Sequence, residues 1–182
     1  MTRSNDKLVV MMEIAILAAL SMGIDWIDSA FKIGPYSFSF SMVPILILAI
    51  RRGVGAGVLG GLIWAILQIV TGDAAGNYIH PVQFILEYPL AFGILGVAGL
   101  ASKYKNLVSI VAFSFLAILL RYTMHFFAGW IFWGIYAPEG QPAWLYSLIA
   151  NGTTFLINTT VCIALVIILF SVAKRLFVPE ER

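Results

Sequence analysis

Charge is scarce in this sequence and cysteine almost missing. Asp, Glu, Lys and Arg make up 11% of the 182 residues, against roughly 25% in ordinary soluble domains, which leaves too few charges to cover a water-facing surface. The single cysteine, Cys162, excludes an internal disulfide framework. Set between "TTV" and "IALVIIL", it reads as a small apolar packing residue. No G-x-x-x-x-G-K-[ST] phosphate loop occurs, so the chain cannot hydrolyse ATP by that machinery. A net charge of +2 gives nucleic acid nothing to hold. No metal or cofactor is expected.

What is present is apolar surface. Hydrophobic residues make up 61% of the chain and the mean hydropathy is +0.96, the balance of an all-α integral membrane protein. A spanning helix needs about 20 mainly apolar residues. Six such runs emerge, at about 8–27, 38–50, 54–70, 81–100, 107–133 and 143–170. They fill nearly the whole chain, so one membrane domain, a bundle of six transmembrane helices over residues 1–182, is expected. The second run is short and reads as tilted, kinked or partly irregular. The first exceeds a typical signal core, contains Glu13 and precedes no small-residue cleavage site, so it is expected to remain as a helix.

Basic residues set the orientation, because cytoplasmic flanks collect Lys and Arg. Arg3, Lys7, Arg51, Arg52, Lys103, Lys105, Lys174, Arg175 and Arg182, nine of the eleven, fall on one side of the membrane in this arrangement. The alternate loops carry Lys32 alone. Both termini are therefore expected in the cytoplasm. The eleventh basic residue, Arg121, lies inside the fifth run.

Polar groups inside the runs gather at one depth. Trp133, Gly129, His125 and Arg121 recur every four residues and form one helical stripe roughly 18 Å long. Glu87, with Gln83 one turn away on the same face, lies about 9 Å below Pro81. Tyr146 and Asn151 on the sixth run, and Trp64 and Gln68 on the third, reach similar depth. Plain explanations fit some of these. Trp26, Trp130 and Trp144 suit interfacial anchors. Gln68 and Asn158 suit hydrogen bonds between helices. Glu13 and Asp25 lie near helix ends, where solvation serves them. Glu87, His125 and Arg121 are different, since a charge at the centre of a spanning helix costs about 2.5–3.5 kcal/mol. A Glu87–Arg121 pair would offset that cost, although a depth difference of roughly 9 Å strains it. The alternative is a pocket. A carboxylate among Trp and Tyr rings, with an imidazole and an amide nearby, suits a flat cationic ring.

The order and spacing of "AIRRGVGAGVLGGLIW", "FILEYP", "RYTMHFFAGWIFW" and "LYSLIANG" resemble the thiamin-specific substrate-binding component of energy-coupling factor vitamin transporters, over nearly the whole chain. The resemblance implies a six-helix bundle in the bacterial cell membrane with a thiamin site near the outer face. A loop joining the first two helices would cover that site. Carried over by position, Glu87 and Tyr88, His125, Gly129 and Trp133, and Tyr146 and Asn151 match the family's ligand-binding positions. Trp64 is added as a candidate ring. Arg121 stands where the family carries lysine, and the two are not equivalent donors. In the covering loop "IGPYSF" offers Tyr36 where the family can place tryptophan. The stretch "GDAAGNYIHP", with Tyr78 and His80, is longer than the family pattern.

The resemblance also implies partners: a transmembrane coupling subunit working with two ATPases. Ala15, Ala19 and Gly23, spaced by four, give the first helix a smooth strip for close packing, and in the family the alanine pair meets the coupling subunit. Gly53, Gly57 and Gly61 form a similar strip, expected to pack internally. Three other readings stay open. Another cationic or heteroaromatic vitamin could be the ligand, or the chain could be an autonomous carrier, although its polar residues thin out below Arg121. An intramembrane enzyme needs a nucleophile within about 3 Å of its base, and Ser114 lies on a different face from His125.

Overall fold

A computed structural model describes residues 3–29, 38–72 and 78–178, without the side chains of residues 3–5 and 29. Within these residues the chain is helical and contains no strand. The long helices are α1 (Arg3–Ser29), α5 (Leu107–Phe132) and α6 (Ala143–Val172), joined by α4 (Pro81–Lys103). These four are long and apolar enough to cross a membrane. Two shorter helices, α2 (Val43–Arg52) and α3 (Val54–Val70), pack among them.

Burial follows from spacing. On α1, Ile14, Ala18 and Met22 recur every four residues and are buried. The opposite face carries Met12, Ile16 and Leu20, all exposed. Apolar side chains also cover the outward surfaces of α5 and α6, including Phe115, Leu119, Leu156 and Ile168. A surface this apolar is suited to lipid. In α2 every residue from Val43 to Ile50 is buried, the all-round burial of a helix enclosed by others.

Small residues bring α3 against its neighbours. At Gly57 a Cβ would lie 2.8 Å from the Gly96 Cα, and at Gly61 it would strike the Phe92 carbonyl. The glycines let the two backbones meet, the packing that stabilises helix pairs in lipid. Gly53, at φ +89°, turns the chain from α2 into α3 without an intervening loop, a conformation that glycine adopts without steric cost.

Two features depart from regular helix, and both shape the polar interior. α4 starts at a His80 cap, whose Nδ1 accepts from the Val82 N–H at 3.1 Å, with Pro81 in the first turn. It is α-helical over Pro81–Ile85, widens into a π turn at Leu86–Leu90 around Pro89, and tightens to a 3-10 coil over Ile94–Lys103. The second feature corrects the expected start of the second helix near residue 38. Residues 38–42 form a non-helical strap and α2 begins at Val43. Pro44 suits the first helical turn, and the backbone N–H groups of Ser39 and Phe40 are taken by Asn158 and Asp28 side chains.

At the opposite end of the bundle, Glu13 is not a solvated helix-end acid as expected. Arg51 and Arg52 clasp it, the closest N–O distances being 3.2 and 2.5 Å. Arg51 also donates from Nη1 to the Arg175 carbonyl at 2.5 Å, tying α1, α2 and the chain after α6 together.

Candidate functional site

A cavity of about 590 Å³ opens among α1, the strap, the end of α3, α4, α5 and α6. A neighbouring one of about 200 Å³ shares Glu87, His125, Trp133 and Asn151 with it. Of the residues expected at a site, Glu87, Tyr88, Arg121, His125, Trp133 and Asn151 line the larger cavity. Gly129 and Tyr146 line the smaller. Tyr36 lies outside the described residues.

Glu87 is held from two sides. Its Oε1 accepts from the Trp133 indole N–H at 2.8 Å, and its Oε2 accepts from the Gln83 amide. Gln83 is fully buried and accepts from the Ile79 N–H at 3.2 Å, so the acid rests on a relay that reaches the start of α4. Charge-assisted bonds of this kind fix a carboxylate's orientation and strengthen when water is excluded. The π turn carries Glu87 and Tyr88, and such turns often mark functional positions in helices.

Gly129 lies at a close approach of α5 to α6. A Cβ there would stand 3.0 Å from Asn151 Nδ2 and 3.2 Å from Ser147 Cβ. The Ser147 hydroxyl donates to the Phe126 carbonyl at 2.7 Å, and Asn151 Nδ2 donates to the Ser147 hydroxyl at 3.1 Å. Asn151 is thereby held at the cavity wall beside Trp133. The Tyr122 and His125 rings lie 5.9 Å apart, and the Tyr122 hydroxyl accepts from Asn158 Nδ2 at 2.7 Å.

Arg121 does not pair with Glu87. Its guanidinium lies 4.0 Å from the Phe92 ring centroid and 5.1 Å from that of Trp64, and donates to the Ala91 carbonyl at 3.3 Å. Among the described residues it enters no ion pair. Arginine's flat, weakly hydrated head suits such stacking better than an ammonium would. Trp64 is fully buried, packs edge-on against Phe92 at 4.6 Å and lines neither cavity. It supports Arg121 from behind.

Residue patterns alone misplaced the acids of α1. Asp25, expected at a solvated helix end, lines the cavity and accepts from the Gln68 amide and, at 3.3 Å, from the Ser41 hydroxyl. Asp28, Ser39, Tyr122, Thr154 and Asn158 also line it. Two signals could have found them. Asp25 and Asp28 share a helix face at i, i+3, and Asn151, Thr154 and Asn158 follow i, i+3, i+7. Among the described residues the cavity presents three carboxylates and several rings against one guanidinium, a balance that favours a flat organic cation over an anion.

Comparison with known proteins agrees with this chemistry. Residues 11–178 match the family described as thiamine transporter protein (Thia_YuaJ). The chain is 36% identical to the thiamine transporter ThiT of Lacticaseibacillus paracasei, over 98% of its own length and 95% of the relative. Identity to ThiT of Bacillus subtilis is also 36%, over 97% and 98%. A solved structure of ThiT from Listeria monocytogenes superposes with a TM-score of 0.83 at 34% identity, over 96% of this chain and 100% of that one. Several helices long and apolar enough to cross a membrane mark a multi-pass membrane protein, and sequence match and shared fold place this chain in the thiamine transporter family, a family of transport proteins and not of enzymes.

Proposed function

We propose that this chain is the thiamin-capturing component of an energy-coupling factor transporter in a bacterial cell membrane. In this reading the chain is one membrane domain with six crossings and both termini in the cytoplasm, and the cavity opens outward. The observation that carries it is Glu87 held in the cavity wall by the Trp133 indole N–H. Thiamin joins a cationic thiazolium to an aminopyrimidine, so one carboxylate and a set of rings answer its charge and its flat faces. A cation over an aromatic face gains about 2 kcal/mol when desolvated. Tyr88, His125, Tyr146 and Asn151 supply the further rings and polar groups, Gly129 leaves room for Ser147 and Asn151 at the wall, and Arg121 borders the floor.

Energy comes from partners. Ala15 and Ala19 are exposed on α1, and among the described residues no atom lies within 4 Å of where a Cβ at Gly23 would stand. This open strip supports docking of a coupling subunit, with two ATPases supplying hydrolysis. Titration of the purified protein with thiamin tests the binding reading. We expect tight binding with quenching of tryptophan fluorescence, and Glu87→Gln and Trp133→Ala each weakening it at least tenfold, or about 1.4 kcal/mol. Unchanged affinity in both variants would remove the assignment.

A further inference from the structure

Gln83 is fully buried and lines neither cavity, yet its side chain reaches the acid that lines both. It precedes Glu87 by four residues on α4, the spacing that brings two side chains together on one helix face. Helical side chains lean back toward the start of the helix, so Glu87 extends toward Gln83. Oε1 of Gln83 accepts from the Ile79 N–H at 3.2 Å, and Nε2 donates to Glu87 Oε2.

The partners at its two ends fix which way the amide points. A backbone N–H only donates, and an ionised carboxylate only accepts. Turned over, the amide would set N–H against N–H and oxygen against oxygen, so its donor end is committed to Glu87. The other oxygen of the acid, Oε1, takes the Trp133 indole N–H at 2.8 Å. Both carboxylate oxygens are thus anchored, one within α4 and one by the residue that caps α5.

A carboxylate held in this way is oriented before a ligand arrives. An unheld glutamate gives up side-chain freedom on binding, and that loss is subtracted from affinity. Charge-assisted bonds to the acid strengthen further where water is excluded. We infer that Gln83 is a positioning residue for ligand capture: anchored on the Ile79 N–H, its amide holds the Glu87 carboxylate in its binding orientation and so raises affinity without touching the ligand. This rests on the thiamin reading above. It also gives the backbone just before α4 a part in binding.

A double-mutant cycle separates this role from a merely structural one, because groups that act through one another are not additive. Gln83→Met keeps the length of the side chain and removes both of its hydrogen bonds. The full-length protein in detergent is titrated with thiamin as wild type, Gln83→Met, Glu87→Gln and the double variant. Gln83→Met should weaken binding at least fivefold in the wild type and less than twofold once Glu87→Gln is present. Equal losses in the two backgrounds would make Gln83 a strut of the bundle and overturn the proposal, as would wild-type affinity in Gln83→Met. Ile79→Pro attacks the relay from its far end, deleting the anchoring N–H at an exposed position outside any helix. It should weaken thiamin at least twofold in the wild type and leave Gln83→Met unchanged; a further loss in Gln83→Met counts against the relay. Should Gln83→Met not fold, Ile79→Pro enters the cycle with Glu87→Gln in its place, and additive losses there overturn the proposal. Wild-type protein that does not bind thiamin removes the thiamin reading itself, whereas tight wild-type binding with an additive cycle removes the role of Gln83 alone.

Discussion

The contact of α3 with α4 and the cavity beside it are made from opposite materials. Between α3 and α4 the side chains are reduced to hydrogen at Gly57, Gly61 and Gly96, and backbone lies against backbone. A few residues away, Gln83 bonds Glu87, Asn158 bonds Tyr122, Asn151 bonds Ser147 and Arg121 bonds the Ala91 carbonyl, around open space. Lipid gives helices no hydrophobic reason to associate, so close packing must do that work. The glycine contact stabilises the bundle, and the cavity leaves polar groups positioned for a guest. Stability and recognition are thus separable in this chain, and substitutions in each region should be felt in different measurements.

The largest effect is expected at Gly61. Leucine there would collide with the Phe92 carbonyl and should cost about 3 kcal/mol, the upper end for an overpacked core. Unfolding in detergent reads this, while the folded remainder should bind ligand with unchanged affinity. A Gly61→Leu protein with normal stability and lost binding would break the comparison. Tyr122→Phe comes next. It strands the buried Asn158 Nδ2 at about 1–2 kcal/mol, and lies where the two regions blend, so both unfolding and affinity should shift. Glu87→Gln sharpens the contrast from the cavity side: affinity falls at least tenfold, about 1.4 kcal/mol, with the unfolding midpoint nearly unmoved. The smallest effect is at Arg52. Its pair with Glu13 is partly solvated, with side-chain exposures of 24% and 23%, so Arg52→Ala should lower stability by less than about 1 kcal/mol. That loss should fade as salt is raised.

Much of this was legible in the residues, and the exceptions have physical causes. Helical, membrane-suited character follows from the apolar runs, because a bilayer permits few other solutions. The four-residue stripe from Arg121 to Trp133 brought His125 and Trp133 to the cavity, since helical periodicity transmits directly into a shared face. Arg121 was harder. Its cost suggested an acid partner, whereas Phe92 and Trp64 supply ring faces, and sequence spacing between α3, α4 and α5 cannot reveal a stack of three helices. Asp25 was misread because an acid one turn from a helix end looks solvated until another segment folds over it. That segment is the strap, and its course depends on bonds to Asp28 and Asn158 that join residues 12 and 119 positions apart.

The π turn in α4 has a consequence for how this protein can change. Ala91 donates its N–H to the Leu86 carbonyl five residues back, so the turn holds one more residue than an α-helix would. Each residue of a regular helix turns the chain by about 100°. Deleting a single codon beside Pro89 would straighten the segment and swing Gln83 and Glu87 around the axis relative to everything after them. The glycines facing α3 and the acid facing the cavity could then no longer both be satisfied. Point substitutions can tune this protein gradually, whereas a one-residue length change in that turn would uncouple its scaffold from its ligand at a stroke.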